Sequence, residues 1–273
     1  MWNFHNSNSY GDLRVREGEQ PWDSVHQIVW NPYTNDPSFF TVGWDGMLRF
    51  YMIKDGRDVD RMFQIFLEQP VISVDVNSQS IAFVGLTSGH VAAIDLQQSR
   101  VQVLGKHEGP VIGVYWMKDK NCLISIDMGY TLKCWDITAQ NQNFEKGEIK
   151  LPLKTVACAY DFPYLVLVSI DSSISVVGLK NFPQCSFPTS SDHYFKLQVE
   201  KFSKPTCASV HAHAKRGIVG TFDGRFMVFN FKEGFDHNLH VSDPITMRSQ
   251  KKRDHSSAIS KSVNTVDLGY HQY

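Results

Sequence analysis

The sequence predicts an all-β fold, a propeller of repeated short-stranded units, and three observations carry that expectation. Short apolar segments recur along the chain, a tight-turn dipeptide follows the second segment of each unit, and the recurrence has a period of about 40–50 residues. Such a period is that of a four-stranded propeller blade. A β-sandwich would supply alternating strands without repeating this order at this spacing.

The first segments begin at Val25 (VHQIVW), Val71 (VISVDV), Val111 (VIGVYW), Thr155 (TVACAY), Thr206 (TCASVH) and Val263 (VNTVDL). Their apolar and small residues alternate, as strands packed between sheets require. Second segments follow at Ser38–Gly43, Ser80–Gly85, Asn121–Ser125, Tyr164–Ser169 and Arg216–Gly220. The turns after them are Asp45-Gly46, Ser88-Gly89, Met128-Gly129, Asp171-Ser172 and Asp223-Gly224. Dipeptides of this kind supply the positive φ that a tight hairpin demands. Third segments then run Leu48–Tyr51, Val91–Ile94, Leu132–Trp135, Ile174–Val177 and Phe226–Phe229. Trp30, Trp116 and Trp135 fall on these segments and are expected in the core.

Five units are largely complete, and a sixth begins at Val263. A closed ring of this kind usually takes seven, since closure protects sheet edges. The expected organisation is an N-terminal extension over 1–20 and a propeller over 21–273 that is incomplete at its C-terminal side.

Composition narrows the function classes. Hydrophobic residues make up 42% of 273, enough for a sizeable core, and a net charge of −1 gives no global field for nucleic acid or membrane lipid. The five cysteines are scattered with no C-x-x-C pair, which fits a reducing compartment better than a disulfide framework or a zinc site. Neither a signal-peptide pattern at the N-terminus nor an apolar run of membrane-spanning length is present, so the chain reads as cytosolic or nuclear, without membrane insertion.

The third unit opens with His107-Glu108-Gly109-Pro110 and closes with Trp135-Asp136, the two marks of a WD repeat. Elsewhere the closing pair has drifted to Tyr51-Met52, Ile94-Asp95, Val177-Gly178 and Phe229-Asn230. The run Leu151-Pro152-Leu153-Lys154-Thr155-Val156-Ala157-Cys158-Ala159, then Phe162-Pro163, resembles the fourth unit of the messenger-RNA export WD-repeat nucleoporins (RNA export factor one, the Rae-one/Gle-two family). Gly220-Thr221-Phe222-Asp223-Gly224-Arg225 is similar to that family's G-S-I-E-G-R, and Ile245–Lys251 to its F-T-F-K-C-H-R. The Bub-three-type spindle-checkpoint propeller is a close cousin sharing the last two features. The Pro21-x-Asp23-Ser24-Val25 entry and Phe162-Pro163 favour the export factor.

The resemblance implies a non-enzymatic scaffold without cofactor. Its expected task is to grip an acidic GLEBS-type peptide of an FG-repeat nucleoporin across the top face, with RNA or ribonucleoprotein as a further, indirect partner. It implies residence in the nucleus at the pore rim, with some cytoplasmic pool. Carried over by position, Trp44 is the aromatic ledge, Arg225 the carboxylate clamp and Lys251 the second cation, which lacks an arginine's fork. Met128 stands where the family's third-unit tryptophan would be.

Each residue has a plainer alternative. Trp44 could pack on its own blade, and Arg225 could be a tolerated polar residue after a turn. His211 and His213, two apart on a strand, would share one face, but no third metal ligand lies at a plausible spacing. Asp127 and Asp171 read as turn formers. Arg248, Lys252 and Arg253 lie in a polar stretch from Lys232 to Ser262, read as a solvated loop or an RNA or phosphate contact.

Overall fold

The computed structural model describes residues 2–3, 8–9, 25–54, 58–138, 144–151, 153–179, 194–198, 204–231 and 245–246. Its frame is five four-stranded antiparallel meanders. A two-residue pair, β1 (Trp2–Asn3) with β2 (Asn8–Ser9), precedes them.

The first sheet comprises β3 (Val25–Trp30), β4 (Ser38–Gly43), β5 (Met47–Lys54) and β6 (Asp58–Phe66). The second is β7 (Val71–Val76), β8 (Ile81–Leu86), β9 (His90–Asp95) and β10 (Arg100–Lys106). The third is β11 (Val111–Met117), β12 (Cys122–Asp127), β13 (Thr131–Trp135) and β14 (Glu145–Lys150). The fourth is β15 (Thr155–Asp161), β16 (Tyr164–Ser169), β17 (Ser173–Gly178) and β18 (Tyr194–Gln198). The fifth is β19 (Pro205–His211), β20 (Arg216–Thr221), β21 (Arg225–Asn230) and β22 (Ile245–Thr246).

Successive sheets stack in chain order: β7 on β3 and β4, β11 on β7 and β8, β15 on β11, β19 on β15 and β16. This is an all-β, five-bladed propeller of the WD-repeat type. The expected seven-bladed ring and the sixth unit at Val263 concern residues beyond those described.

Middle strands of the second, third and fourth blades are buried on both faces, so their sequences are near-continuous apolar runs. The two faces separate by parity. In β16, Leu165 and Leu167 pack toward the third sheet, while Val166 and Val168 pack toward the fifth. The third residue of each second strand shows where a following sheet is present: Phe40, Phe83, Ile124 and Val166 are all 0% exposed, but Ile218 is 45% exposed. Among the described residues, the outward face of the fifth sheet is uncovered there.

The fourth strands escape the sequence reading because they are outer edges. Glu145–Lys150 is charged at four of its six positions, and in β10 Leu104 is the one buried residue. Ile245–Thr246 pairs with Arg225 and Phe226, so the polar stretch from Lys232 is not loop throughout.

Polar side chains tie each first strand to the next. Gln27 Oε1 accepts the Val74 N–H at 2.9 Å, and Asp75 Oδ2 the Trp116 N–H at 2.7 Å. Tyr115 donates its hydroxyl to the Cys158 carbonyl at 3.0 Å, and Asp161 Oδ2 accepts the Ala212 N–H at 2.5 Å.

The third blade adds a buried cluster. Trp135 Nε1 donates to Ser125 Oγ at 2.7 Å, and that hydroxyl stands 2.6 Å from His107 Nε2. Because it accepts from the indole, the hydroxyl has its own hydrogen to give to the imidazole. His107 Nδ1 lies 3.7 Å from Asp127 Oδ2, and Asp127 Oδ1 accepts the Thr131 N–H at 2.9 Å. Burial pushes the Asp127 carboxyl up, but the His107 and Thr131 contacts outweigh it and hold the group below its ordinary range. Asp127 is therefore more than a turn former. In the other blades the Ser125 and Trp135 positions hold Thr41 and Tyr51, Val84 and Ile94, Leu167 and Val177, Val219 and Phe229.

Three further expectations are corrected. Trp116 and Trp135 are buried, but Trp30 is 37% exposed, edge-on to Phe39 on the face of the first sheet turned away from the second. His213 is not on a strand: β19 ends at His211, whose Nδ1 accepts the Ala214 N–H of the following turn. Positive φ occurs at Gly46, Gly89, Ser172 and Gly224 but not at Gly129, where the Asp127 carboxylate organises the turn instead.

Gly89 has a second constraint. A Cβ there would fall 2.4 Å from the His107 carbonyl oxygen, and the Gly89 carbonyl accepts the His107 N–H at 2.8 Å. Gly89→Ala is expected to cost about 2 kcal/mol, from a left-handed backbone plus displacement of the His107 loop. A urea-denaturation midpoint unchanged from wild type would refute this.

Candidate peptide-binding face

A four-stranded meander sends all its second-to-third turns to one end, together with the starts of the first strands and the ends of the fourth. At this turn end one position repeats in every blade, the residue immediately after the second strand. Its occupants are Trp44, Thr87, Met128, Ile170 and Phe222. Four of these are large apolar side chains, exposed by 54%, 41%, 62% and 62% for Trp44, Met128, Ile170 and Phe222.

Backbone bonds hold the array. Thr87 donates its N–H to the Pro70 carbonyl at 3.1 Å, Met128 to Pro110 at 2.6 Å, Ile170 to Lys154 at 3.0 Å and Phe222 to Lys204 at 2.8 Å. Each acceptor immediately precedes a first strand, so the bond pins the turn and leaves the side chain outside. Phe66 and Tyr130 add exposed aromatic area at the same end. An array of exposed apolar side chains at fixed positions is a mark of an interaction surface.

Charge at this end comes from cations among acids. Lys106 and Lys150 close fourth strands, Lys154 and Lys204 precede first strands, and Arg225 opens β21. Arg225 Nε lies 3.2 Å from Asp223 Oδ2, and its side chain is 52% exposed. A hydrogen bond from the Thr221 hydroxyl, with Arg225 beside it, holds the Asp223 carboxyl below its ordinary range. In the first blade Asp45 pairs with Arg49 and accepts the Met47 N–H at 3.0 Å, which fixes the turn under Trp44.

Trp44 and Arg225 thus share the turn end, in the first and fifth sheets. Trp44 is half-exposed, and its ring meets His26 of β3 edge-on at 6.2 Å. Lys251, Arg248, Lys252 and Arg253 lie outside the described residues. Sequence reasoning missed Ile170 and Phe222 as surface residues. The signal was available, since an apolar residue precedes the turn pair in three of the five units and Met128 opens the pair in a fourth. No group of three His, Cys, Asp or Glu side chains able to hold a metal occurs among the described residues.

Known proteins fit this frame. Over 228 residues, 81% of this chain and 61% of the relative, the sequence is 26% identical to the mRNA export factor rae-1 of Caenorhabditis elegans. It is 24% identical to the mRNA export factor GLE2 of Chaetomium thermophilum, across 86% of this chain and 65% of that protein. The spindle assembly checkpoint protein bub3 of Schizosaccharomyces pombe is 24% identical over 42% of this chain and 35% of its own length. The chain is a distant homologue of these WD-repeat propellers. It spans 61% of the length of the first of these relatives. No protein-family model matches it. Among solved structures, a chain of a humanized Chaetomium thermophilum Polycomb Repressive Complex 2 superposes with a TM-score of 0.66 at 11% identity, over 85% of this chain and 55% of that one, which speaks to the fold alone. The relatives' names thus belong to two processes, mRNA export and the spindle assembly checkpoint.

Proposed function

We propose that the turn end binds a short acidic peptide of the GLEBS type from an FG-repeat nucleoporin, and that the protein supports messenger-RNA export at the nuclear pore rim. The observation that carries this reading is the repeated apolar position at the turn end, with Trp44 as ledge and Arg225 as clamp. An apolar array gives contact area, and a guanidinium offers a carboxylate two parallel hydrogen bonds. Arg225 must exchange Asp223 for the peptide, so its share of the affinity falls with added salt. Lys251 is the second cation of this reading, and Arg248, Lys252 and Arg253 are its candidate phosphate contacts. The relatives named as mRNA export factors support the choice of process.

Titration calorimetry of the chain with a GLEBS-type peptide tests it. Trp44→Ala combined with Arg225→Ala is expected to weaken binding by about 30-fold or more, the loss of one interface hot spot of roughly 2 kcal/mol. Absence of binding by the wild-type chain, or equal binding by the double variant, would sink the proposal. Checkpoint relatives favour a second reading, a spindle-checkpoint scaffold for kinetochore or checkpoint-kinase peptides. A fluorescent fusion at the nuclear rim in interphase supports the first; one on kinetochores in mitosis supports the second.

A further inference from the structure

Between the second and third blades, at the turn end, lies a polar pocket of about 460 Å³. The third blade supplies one wall. Thr131 pairs with Lys150 and Lys133 with Glu148 across β13 and β14, so these four side chains project on one face. Lys106, the last residue of β10, and Glu108 line the pocket from the other side. His107 between them is turned inward to Ser125.

The ion pairs decide which donors stay open. Lys133 is committed: its Nζ lies 2.9 Å from Glu145 Oε2 and 3.4 Å from Glu148 Oε2, over the Trp135 ring. Lys150 is exposed, and its Nζ stands 3.3 Å from the same Glu148 carboxylate. That contact is long for a charge-assisted bond, and its acceptor is shared. Lys106 has no ion pair among the described residues. Thr131 is 6% exposed, lines the pocket, and has no hydrogen-bond partner for its hydroxyl among the described residues. Two ammonium groups and one largely buried hydroxyl thus remain to donate, which favours an incoming acceptor. A carboxylate fits: it carries one negative charge and accepts at both oxygens. A phosphate dianion would set a second charge against Glu108 and Glu148, and an ammonium would face the lysines. The volume lies within the range of about 300–1,000 Å³ typical of ligand sites, leaving room for an acidic side chain and the backbone that carries it.

We infer that this pocket is a second anchor for the peptide proposed at the turn end, holding one aspartate or glutamate side chain between Lys106 and Lys150 with the Thr131 hydroxyl as a further donor. The inference rests on that reading for the identity of the partner, and on the pocket itself for the chemistry it takes.

Two measurements separate the pocket from the partner. In the first, the capped tetrapeptide Gly-Glu-Glu-Gly, its glutamine counterpart and inorganic phosphate are titrated into the isotope-labelled chain and followed by NMR. The glutamate form is expected to shift the Lys106 and Thr131 amide resonances and to bind about fivefold more tightly than either of the others. Lys106→Gln combined with Lys150→Gln should lose about fivefold of that binding, and Thr131→Val, which keeps the shape and removes the hydroxyl, about threefold. Arg225→Ala should leave it unchanged. In the second, calorimetry with the GLEBS-type peptide, the double lysine variant should weaken binding by about tenfold and flatten its dependence on salt. A GLEBS-type peptide that needs Trp44 and Arg225 but is indifferent to Lys106 and Lys150 would overturn the inference and leave the reading of the turn end standing. Glutamate binding that depends on Lys106 and Lys150, with no binding of the GLEBS-type peptide, would support the pocket and overturn that reading. Glutamine or phosphate bound as tightly as glutamate would overturn the assignment of a carboxylate.

Discussion

Trp135→Ala is expected to remove about 4–6 kcal/mol of stability, enough to abolish or nearly abolish cooperative folding in a domain of ordinary stability. Truncating a fully buried tryptophan costs about 3–5 kcal/mol in transfer and cavity terms alone. Here the ring packs against the second blade so closely that a Cβ on Gly105 would sit 2.4 Å from its Cζ3, so the cavity would open between two sheets. The change also strips Ser125 Oγ of its indole donor inside a region that water does not reach. Trp135→Phe separates these effects. It removes the Nε1 donor with a much smaller loss of ring volume than alanine, at an expected cost of about 1–3 kcal/mol. Urea denaturation with matched m-values measures both. Equal losses for the two variants would mean that the hydrogen bonds, not the packing, carry the stability. A loss below about 1.5 kcal/mol for alanine would mean that the blade contact closes without the ring.

The third blade was the easiest to read because its chemistry is polar and spaced. His107 and Trp135 are sequence marks whose partners, Ser125 and Asp127, emerge only when β12 folds back on β13. In the other four blades the same positions hold apolar or mismatched residues, and the buried Thr41 hydroxyl has no partner among the described residues. Those blades were legible through the period of their strands instead. Second and third strands lie between sheets, so their sequences must be apolar on both faces. The outer strands bury little, and Glu145–Lys150 carries no pattern that composition alone could separate from a loop. Burial of a strand end was equally hidden. Trp30 and Trp116 look alike in sequence, yet among the described residues only Trp116 has a neighbouring blade on its side, with Phe83 stacked on it at 5.2 Å.

The residues of the turn end divide in the same way. Trp44 and Arg225 could be named from sequence because a resemblance pointed at them. Ile170 and Phe222 needed only the repeat, since their outward aim follows from a backbone bond that recurs with it.

The frame itself should respond to pH through Asp75. Its carboxylate joins the first strands of the second and third sheets, accepting N–H groups from Trp116 at 2.7 Å and Val76 at 2.8 Å. Burial pushes its pKa up to about 6 from 3.8, in spite of those two bonds, which act to lower it. Its charge also adds to burial in raising the phenols of Tyr33, Tyr115 and Tyr160 around it. A folded pKa above the unfolded one means that the native state holds the proton more tightly. The stabilisation from protonation is therefore full below pH 3.8 and is lost as pH rises through about 6. At about 1.4 kcal/mol per pKa unit, that displacement is worth roughly 3 kcal/mol. Asp127 and Asp223, held low, act in the opposite sense, so the total stability need not follow Asp75. Asp75→Asn isolates it, because the amide retains an oxygen for the Trp116 N–H and cannot ionise in this range. The stability of wild type minus that of Asp75→Asn should fall by roughly 3 kcal/mol between about pH 4 and pH 7. A flat difference across that window would show that the carboxylate is hydrated in the folded protein and that its link to Trp116 carries no electrostatic penalty.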